Sequence, residues 1–184
     1  MGGFERTGGT LRLRDVETGD VDLYVRLRCN PLMTVDLGGP RRAEDMPEKV
    51  ARDVADAASN TAWNQVIMPD IGEPDVVSGS VHVYRGQTGC AEVGWMVLPE
   101  HQGRGVAKAA VLLLLAREQQ EQRWGPLHAF TSTANVASNA LCRSLPFRLV
   151  GEESYVFDGH DYPVSHWVSD STASGGGGHL LAGP

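Results

Sequence analysis

A glycine-bearing segment that could bind an anion lies at Gln102–Lys108, where the sequence reads Gln-Gly-Arg-Gly-Val-Ala-Lys. An extended apolar stretch precedes it, and a long apolar segment of helical character follows it. The first turn of a helix has unpaired N–H groups and the positive end of the helix dipole. Gly103 and Gly105 have no Cβ, so a phosphate can approach the backbone closely. Arg104 and Lys108 add positive charge, and the segment therefore predicts a phosphate site.

Three phosphate-binding motifs can be compared with this segment. A Walker A loop that starts at Gly103 requires its second glycine at the position of Lys108, and so it fails. The dinucleotide fingerprint G-x-G-x-x-G requires a glycine at the same position and fails as well. The third motif, Q/R-x-x-G-x-G/A, is filled by Gln102, Gly105 and Ala107. The alternative is a glycine-bearing turn that binds no ligand.

Composition predicts one globular domain. The chain has 184 residues, of which 41% are hydrophobic, and this is enough for a core. A net charge of −7 argues against nonspecific nucleic-acid binding. The three widely spaced cysteines, Cys29, Cys90 and Cys142, favour reduced thiols in a cytoplasmic protein without a metal cluster. The longest apolar run, Val111–Ala116, is too short to span a bilayer, so no membrane partner is expected.

Hydrophobic periodicity predicts the elements that position the segment. A strand at Thr10–Arg14 is followed by a helix at Val21–Arg28, a loop at Leu32–Pro40 and an amphipathic helix at Glu44–Ser59. The later elements are predicted as strands Ala62–Met68, Val76–Tyr84 and Cys90–Leu98, helix Val106–Arg123, strand Leu127–Thr131, helix Asn135–Leu145, and strands Phe147–Val150, Ser154–Phe157 and Tyr162–Val168.

Three further expectations concern how these segments are arranged. Residues 1–9 are predicted as a flexible leader, 10–168 as one domain and 169–184 as a glycine-rich tail. Because a helix connects strand Cys90–Leu98 to strand Leu127–Thr131, the two strands should be parallel. The predicted apolar face of helix Asn135–Leu145 consists of Val136, Ala140, Leu141 and Leu145.

A second motif lies in that last helix, where the sequence reads N-V-A-S-N-A-L-C-R-S-L-P-F. Together with the Gln102–Lys108 segment, this motif resembles the GCN5-related N-acetyltransferase (GNAT) family. The family pattern for the motif is matched by Asn135, Ser138 and Phe147. Pro146 replaces the usual glycine. The opening T-L-R-L-R and the block W-x-x-x-P-E-x-Q-G-x-G look like the branch that acetylates ribosomal-protein N-termini. The resemblance spans Thr10–Val168.

The resemblance implies an α/β (α+β) fold. Its centre would be a mixed, mainly antiparallel sheet of six to seven strands, flanked by about four helices. Strands Cys90–Leu98 and Leu127–Thr131 would splay apart where the cofactor enters. The Leu32–Pro40 loop and the helix after it would face the acceptor.

The implied activity is transfer of an acetyl group from acetyl-CoA to a primary amine by direct attack in a ternary complex. The acceptor is left open between a protein N-terminus and a small amine, and a homodimer is left open as well. No metal is implied, because the pyrophosphate is bound and not cleaved. The alternative is a non-catalytic acyl-CoA-binding or regulatory module on the same fold.

The resemblance also implies the cofactor-binding residues. The backbone of Trp95, Met96 and Val97 would pair with the pantetheine arm. Asn135 would hydrogen-bond that arm, and Ser138, near the cofactor, counts among the catalytic candidates. The pyrophosphate would be held by Gln102, Gly103, Arg104, Gly105, Val106, Ala107 and Lys108.

The resemblance does not identify the residues that act as general base and general acid. Cys142 stands where many members carry a tyrosine acid, and Phe130 where some carry a glutamate, so neither role transfers to this chain. Glu92, inside a strand between apolar residues, is the leading candidate base, and its alternative is an ordinary exposed strand residue. The lesser candidates are His82, His128, Glu152 and Tyr155.

Overall fold

The computed structural model describes residues 11–69, 75–157 and 159–169. The predicted leader and residues 170–184 of the predicted tail lie outside these ranges. The strands are β1 Arg12–Asp15, β2 Trp63–Met68, β3 Gly79–Arg85, β4 Ala91–Val97, β5 Leu127–Ser132, β6 Phe147–Phe157 and β7 His160–Ser169. The helices are α1 Val21–Arg28, α2 Pro31–Thr34, α3 Met46–Ala58, α4 Val106–Glu121 and α5 Val136–Ser144.

The seven strands form one sheet in the order β1-β2-β3-β4-β5-β7-β6. Each neighbouring pair is antiparallel except β4 and β5, which are parallel and connected through α4. The predicted mixed, mainly antiparallel sheet is therefore confirmed. The extra helix is α2, which forms inside the predicted loop because Asn30 caps it and Pro31 occupies its first turn.

Two layers of helices cover the sheet. Helices α4 and α5 pack on one face, where β4 contributes Ala91, Val93 and Val97. Helices α1 and α3 pack on the other, where β4 contributes Met96. The alternation of side chains along β4 thus separates an α4 face from an α1 face. Among the residues that the structure describes, no helix is long and apolar enough to cross a membrane.

Strand β6 is one strand and not the two that the sequence predicted. Its register with β7 shifts between Leu149, which pairs with Trp167, and Gly151, which pairs with His166. Val150 is therefore an extra residue, a β-bulge. Because side chains alternate with a period of two, the extra residue exchanges the faces of every later residue of β6. The predicted break at residues 151–153 begins directly after this bulge.

Helix α5 buries only part of the face that the sequence predicted. Leu145 is buried and Leu141 packs against the core, whereas Val136 is 77% exposed. The residues that α5 itself buries are Asn139 and Cys142. Asn139 faces inward because the interior satisfies its whole amide. Its Oδ1 accepts from Thr131 Oγ1 at 2.8 Å and from Trp167 Nε1 at 3.1 Å. Its Nδ2 donates to the carbonyls of residues 132 and 135, both at 2.9 Å.

We expect Asn139→Leu to destabilise the fold by about 3 kcal/mol, because several buried polar groups would lose their partners at about 1–3 kcal/mol each. Urea denaturation measures this change. Gln119→Leu, the same kind of replacement at an exposed position of α4, should change stability by no more than about 0.5 kcal/mol. Equal stability of the two variants would contradict the role assigned to Asn139.

Candidate functional site

Strands β4 and β5 separate after two residue pairs. Ala91 pairs with Leu127 and Glu92 with His128, and the two strands, both described in full, make no further pair. On its other side, β4 stays paired with β3 along its whole length. The predicted splay is thus present, and one edge of β4 is open beyond Glu92.

The open edge presents the backbone of Trp95 and Val97. Leu98 N donates to Ser78 O at 2.8 Å, so the backbone of Leu98 points toward β3. Successive residues of a strand point their backbone groups to opposite sides, so Met96 also points to β3. Trp95 and Val97 point into the gap and could pair with an extended ligand. The backbone of Met96, the third predicted residue, does not fit that role.

A turn with open space outside it leads from β4 into α4. Gly105, the N-cap residue of α4, has a φ of 77°, which glycine adopts without strain. A Cβ on Gly103 or Gly105 would meet no described atom within 4 Å. The first bond of the helix joins Ala109 N to Gly105 O at 3.0 Å, and no side chain caps this end. The N–H groups of Val106, Ala107 and Lys108 therefore remain available to an anion.

The side chains of this turn serve two purposes. Gln102 Nε2 donates to Val97 O at 2.8 Å and contacts Met33 Sδ at 3.6 Å, which holds the turn against the end of β4. Arg104 and Lys108 are exposed, and neither forms an ion pair with another described residue. Their charges are free to neutralise a phosphate.

The start of α5 lies on the other side of the gap. Asn135 is the N-cap residue of α5, and its Oδ1 accepts from Ser138 N at 2.9 Å. Among the described residues, Nδ2 of Asn135 has no partner, so this end of the amide can donate to a ligand. Ser138 is half-buried in the first turn of α5. It lies on the α4 face of the sheet, whereas Glu92 lies on the α1 face.

Glu92 lies at the last residue pair before the gap and is only 5% exposed. Its Oε2 accepts from Tyr84 Oη at 3.1 Å and from Tyr155 Oη at 2.8 Å. Its Oε1 is buried and has no hydrogen-bond partner among the described residues. A Cβ on Gly86 would lie 1.6 Å from Oε1, so a larger residue at this position would displace the carboxylate from its present place. A buried, half-satisfied carboxylate beside an open strand edge is a candidate proton acceptor.

The two tyrosines are held in their neutral form. Burial, and then the charge of Glu92, raises the pKa of Tyr84 to about 12. Burial and the hydrogen bond to Glu92 also raise the pKa of Tyr155. Both hydroxyls therefore remain donors to the carboxylate over the physiological pH range.

Burial excludes His82 as a candidate base and keeps the thiol of Cys142 protonated. Burial lowers the pKa of His82 to about 3, and the positive charges of Arg28 and Lys49 lower it further, so His82 does not take up protons near pH 7. Burial raises the pKa of Cys142 to about 12, which makes its thiol unreactive, as expected of a core residue.

A second polar cluster lies on the Glu92 face. His128 Nδ1 and His166 Nε2 are 2.7 Å apart, and His166 Nδ1 lies 2.7 Å from Glu153 Oε1. Burial, and then the neighbouring His166, lowers the pKa of His128. Glu152 pairs with Ser165 and points to the opposite face, so this candidate is separated from Glu92.

The segment 31–39 touches both sides of the gap on the α1 face. Met33 contacts Gln102 beside the α4 turn, and Asp36 accepts from Ser132 Oγ at the end of β5 at 3.4 Å. Leu32 is 85% exposed. That this segment faces the acceptor stays a prediction.

Sequence reasoning missed four residues of the site. The antiparallel β3–β4 hairpin brings Tyr84 opposite Glu92. Counting residue pairs outward from the turn of the hairpin could have found this cross-strand pair. Gly86 was assigned only to that turn. His166 and Glu153 carry no local signal, because the bulge determines the face of Glu153.

Comparison with known proteins identifies the fold and the family. The acetyltransferase (GNAT) domain family matches residues 10–148. No curated protein matches the chain by sequence.

Among solved structures, the chain is similar to an acetyltransferase from Salmonella typhimurium that modifies the N-terminal serine of ribosomal protein L7/L12. The identity is 17%, with a TM-score of 0.73, covering 88% of this chain and 95% of the other. It is also similar to the Vibrio cholerae spermidine N-acetyltransferase in complex with CoA and spermine. There the identity is 20% and the TM-score 0.71, covering 86% and 94% of the two chains.

A third similar structure is the microcin C7 self-immunity acetyltransferase MccE with acetyl-CoA and AMP. It has 15% identity and a TM-score of 0.73, covering 88% of this chain and 93% of the other. Similarities at this level of identity show the fold alone, whereas the domain match extends over most of the chain. The parted strands and the glycine turn thus lie in a chain that belongs to the GNAT family of acetyltransferases.

Proposed function

We propose that this protein is a cytoplasmic N-acetyltransferase that moves the acetyl group of acetyl-CoA to a primary amine by direct attack. The observation that carries the proposal is the open edge of β4, which is fully paired with β3 but leaves β5 after two residue pairs. Acetyl-CoA supplies the activated acyl group as a thioester. The chain supplies binding, orientation and proton removal.

The shape and charge of the gap suit acetyl-CoA. The pantetheine arm would pair with the gap-facing backbone of Trp95 and Val97 as an added strand. The N–H groups at the start of α4, with Arg104 and Lys108, would bind the pyrophosphate. The free Nδ2 of Asn135 would donate to the arm from the opposite side. The catalytic role of Ser138, in the first turn of α5, stays a prediction, and we place it on the side of the departing thiolate.

Glu92 is the proposed base. An α-amine has a pKa of about 8 and a lysine-like amine one of about 10, so either enters the site mostly as an ammonium. Oε1 of Glu92 has a free lone pair, while the two tyrosine hydroxyls fix Oε2. A gap-facing N–H of β4 is available for the negative charge that develops on the acyl oxygen.

The similar proteins indicate two classes of acceptor. One modifies an N-terminal serine, and another is named for spermidine. A panel containing a peptide with an N-terminal serine and spermidine should therefore release the thiol of coenzyme A in the presence of this protein. Binding of acetyl-CoA without release of thiol by any amine would favour the non-catalytic module.

Gly105→Glu should weaken acetyl-CoA binding more than tenfold. The new carboxylate would stand where the pyrophosphate belongs, and two like charges about 4 Å apart near a surface repel by about 1–4 kcal/mol. Isothermal titration calorimetry measures the affinity. Gly89→Glu is the matched control, because Gly89 has a φ of 78° and open space around it but lies in the β3–β4 turn. Undiminished affinity of Gly105→Glu would count against the pyrophosphate site.

Glu92→Gln should lower kcat about 100-fold or more and leave the KM for acetyl-CoA nearly unchanged, because it removes the proton acceptor and keeps the shape. Steady-state rates over a range of pH measure this. Glu121→Gln, a surface change beside Arg117, should behave like the wild type. An unchanged kcat and pH–rate profile would remove Glu92 from the role of base.

A further inference from the structure

Three side chains on the Glu92 face form a continuous chain of hydrogen-bonding atoms. It runs from His128 on β5 through His166 on β7 to Glu153 on β6, with both links at 2.7 Å. His128 and His166 are half-buried, and the side chain of Glu153 is 48% exposed. The chain therefore connects the edge of the gap with solvent.

The carboxylate of Glu153 determines the state of both imidazoles. An ionised carboxylate only accepts, so Nδ1 of His166 carries a proton and donates to Glu153. Nε2 of a neutral His166 is then the acceptor, and Nδ1–H of His128 donates to it. This leaves Nε2 of His128 without a proton and ready to receive one. A chain with this order of donors and acceptors can pass a proton from His128 to Glu153.

The first member of the chain lies beside Glu92. His128 is the register partner of Glu92 in the last pair before β4 and β5 part. Strands in a sheet are about 4.8 Å apart, so the side chains of register partners on one face are neighbours. Glu92 is also linked to the chain by ring contacts, since Tyr155 packs on Phe130 with ring centroids 4.8 Å apart, and Phe130 on His166 at 4.5 Å.

The geometry does not suit a metal ion. The facing nitrogens of His128 and His166 are hydrogen-bonded to each other, so their lone pairs do not converge on a third point. In the ranges that the structure describes, no group of three His, Cys, Asp or Glu side chains is arranged to hold a metal.

The reaction releases more protons than one carboxylate can hold. An ammonium acceptor loses one proton to become a nucleophile and a second when the C–N bond forms and the C–S bond breaks. One of these two protons ends on the thiol of coenzyme A, and the other must leave the protein. Glu92 is buried and can hold only one proton at a time.

We propose, on the basis of the proposed function, that His128, His166 and Glu153 form a relay that carries the first proton of the acceptor amine from Glu92 to solvent. Glu92 passes its proton to Nε2 of His128. Nδ1–H of His128 passes to His166, and Nδ1–H of His166 passes to Glu153, which releases it to water. Glu92 is then an ionised carboxylate again and takes the second proton, which passes to the departing thiolate, so that coenzyme A leaves as the thiol and Glu92 returns to its ionised form.

The groups that act on this relay are defined. Within the described ranges, the charges that act on His128 are those of His166 and Glu153. Glu92, the register partner of His128, lies on the same face of the sheet, and the neutral hydroxyls of Tyr84 and Tyr155 donate to it.

The test compares kcat at two pH values for the wild type, Glu153→Gln and His128→Gln. The acceptor is whichever of the serine peptide and spermidine the wild type acetylates. At about pH 7, where the amine enters as an ammonium, each variant should be about tenfold slower or more. Near the pKa of the amine, a large part of it enters neutral and its first proton needs no removal. The variants should therefore approach the wild-type rate there, while Glu92→Gln stays slow at both pH values.

Glu152→Gln is the matched control, because it makes the same change at the neighbouring residue on the opposite face of β6, and it should match the wild type. Glu153→Gln changes a half-exposed side chain, so it keeps the test meaningful if His128→Gln fails to fold. Wild-type rates in Glu153→Gln at about pH 7, or a loss of equal size at both pH values, would overturn the relay. Absence of acetyl transfer by the wild type itself would instead overturn the proposed function.

Discussion

Beyond Glu92, strand β4 is hydrogen-bonded on one side only, and the rest of the site depends on this asymmetry. Backbone N–H and C=O groups in a protein interior require partners. The groups of Trp95 and Val97 that point into the gap meet this need when an extended ligand occupies it. One carbonyl, that of Val97, is already satisfied by Gln102, which also fixes the anion-binding turn. Opening of the sheet and placement of the turn are thus coupled through a single side chain.

The sheet divides the chemistry between its two faces. On the α4 face lie the turn into α4 and the start of α5, which present backbone N–H groups and an amide to a ligand. On the α1 face lie Glu92, its two tyrosines and the histidine pair, which can accept and move protons. In the proposed function, binding and proton transfer therefore use different side chains of the same strands. A substitution on one face can alter one process and leave the other intact.

The sequence predicted the parts of the site that depend on local pattern. The turn at Gln102–Lys108 and the parallel arrangement of β4 and β5 follow from spacing along one or two elements. The predicted buried face of α5 was wrong in part, because Asn139 turns inward and satisfies its amide through Thr131 of β5 and Trp167 of β7. The tyrosine and histidine partners also come from distant strands, and periodicity contains no information about them.

The bulge at Val150 has a consequence for how this hairpin can change over evolutionary time. Loss of Val150 would remove the bulge and leave the register of the later part of β6 unchanged, because Gly151 already pairs with His166, the next residue along β7 after the partner of Leu149. Glu153 would stay on the face of His166, and Tyr155 would keep its hydroxyl on Glu92. The hairpin thus tolerates the loss of this one residue without a change of face. Relatives that lack the bulge should be aligned with this hairpin by the sheet face of each residue and not by its position in the sequence.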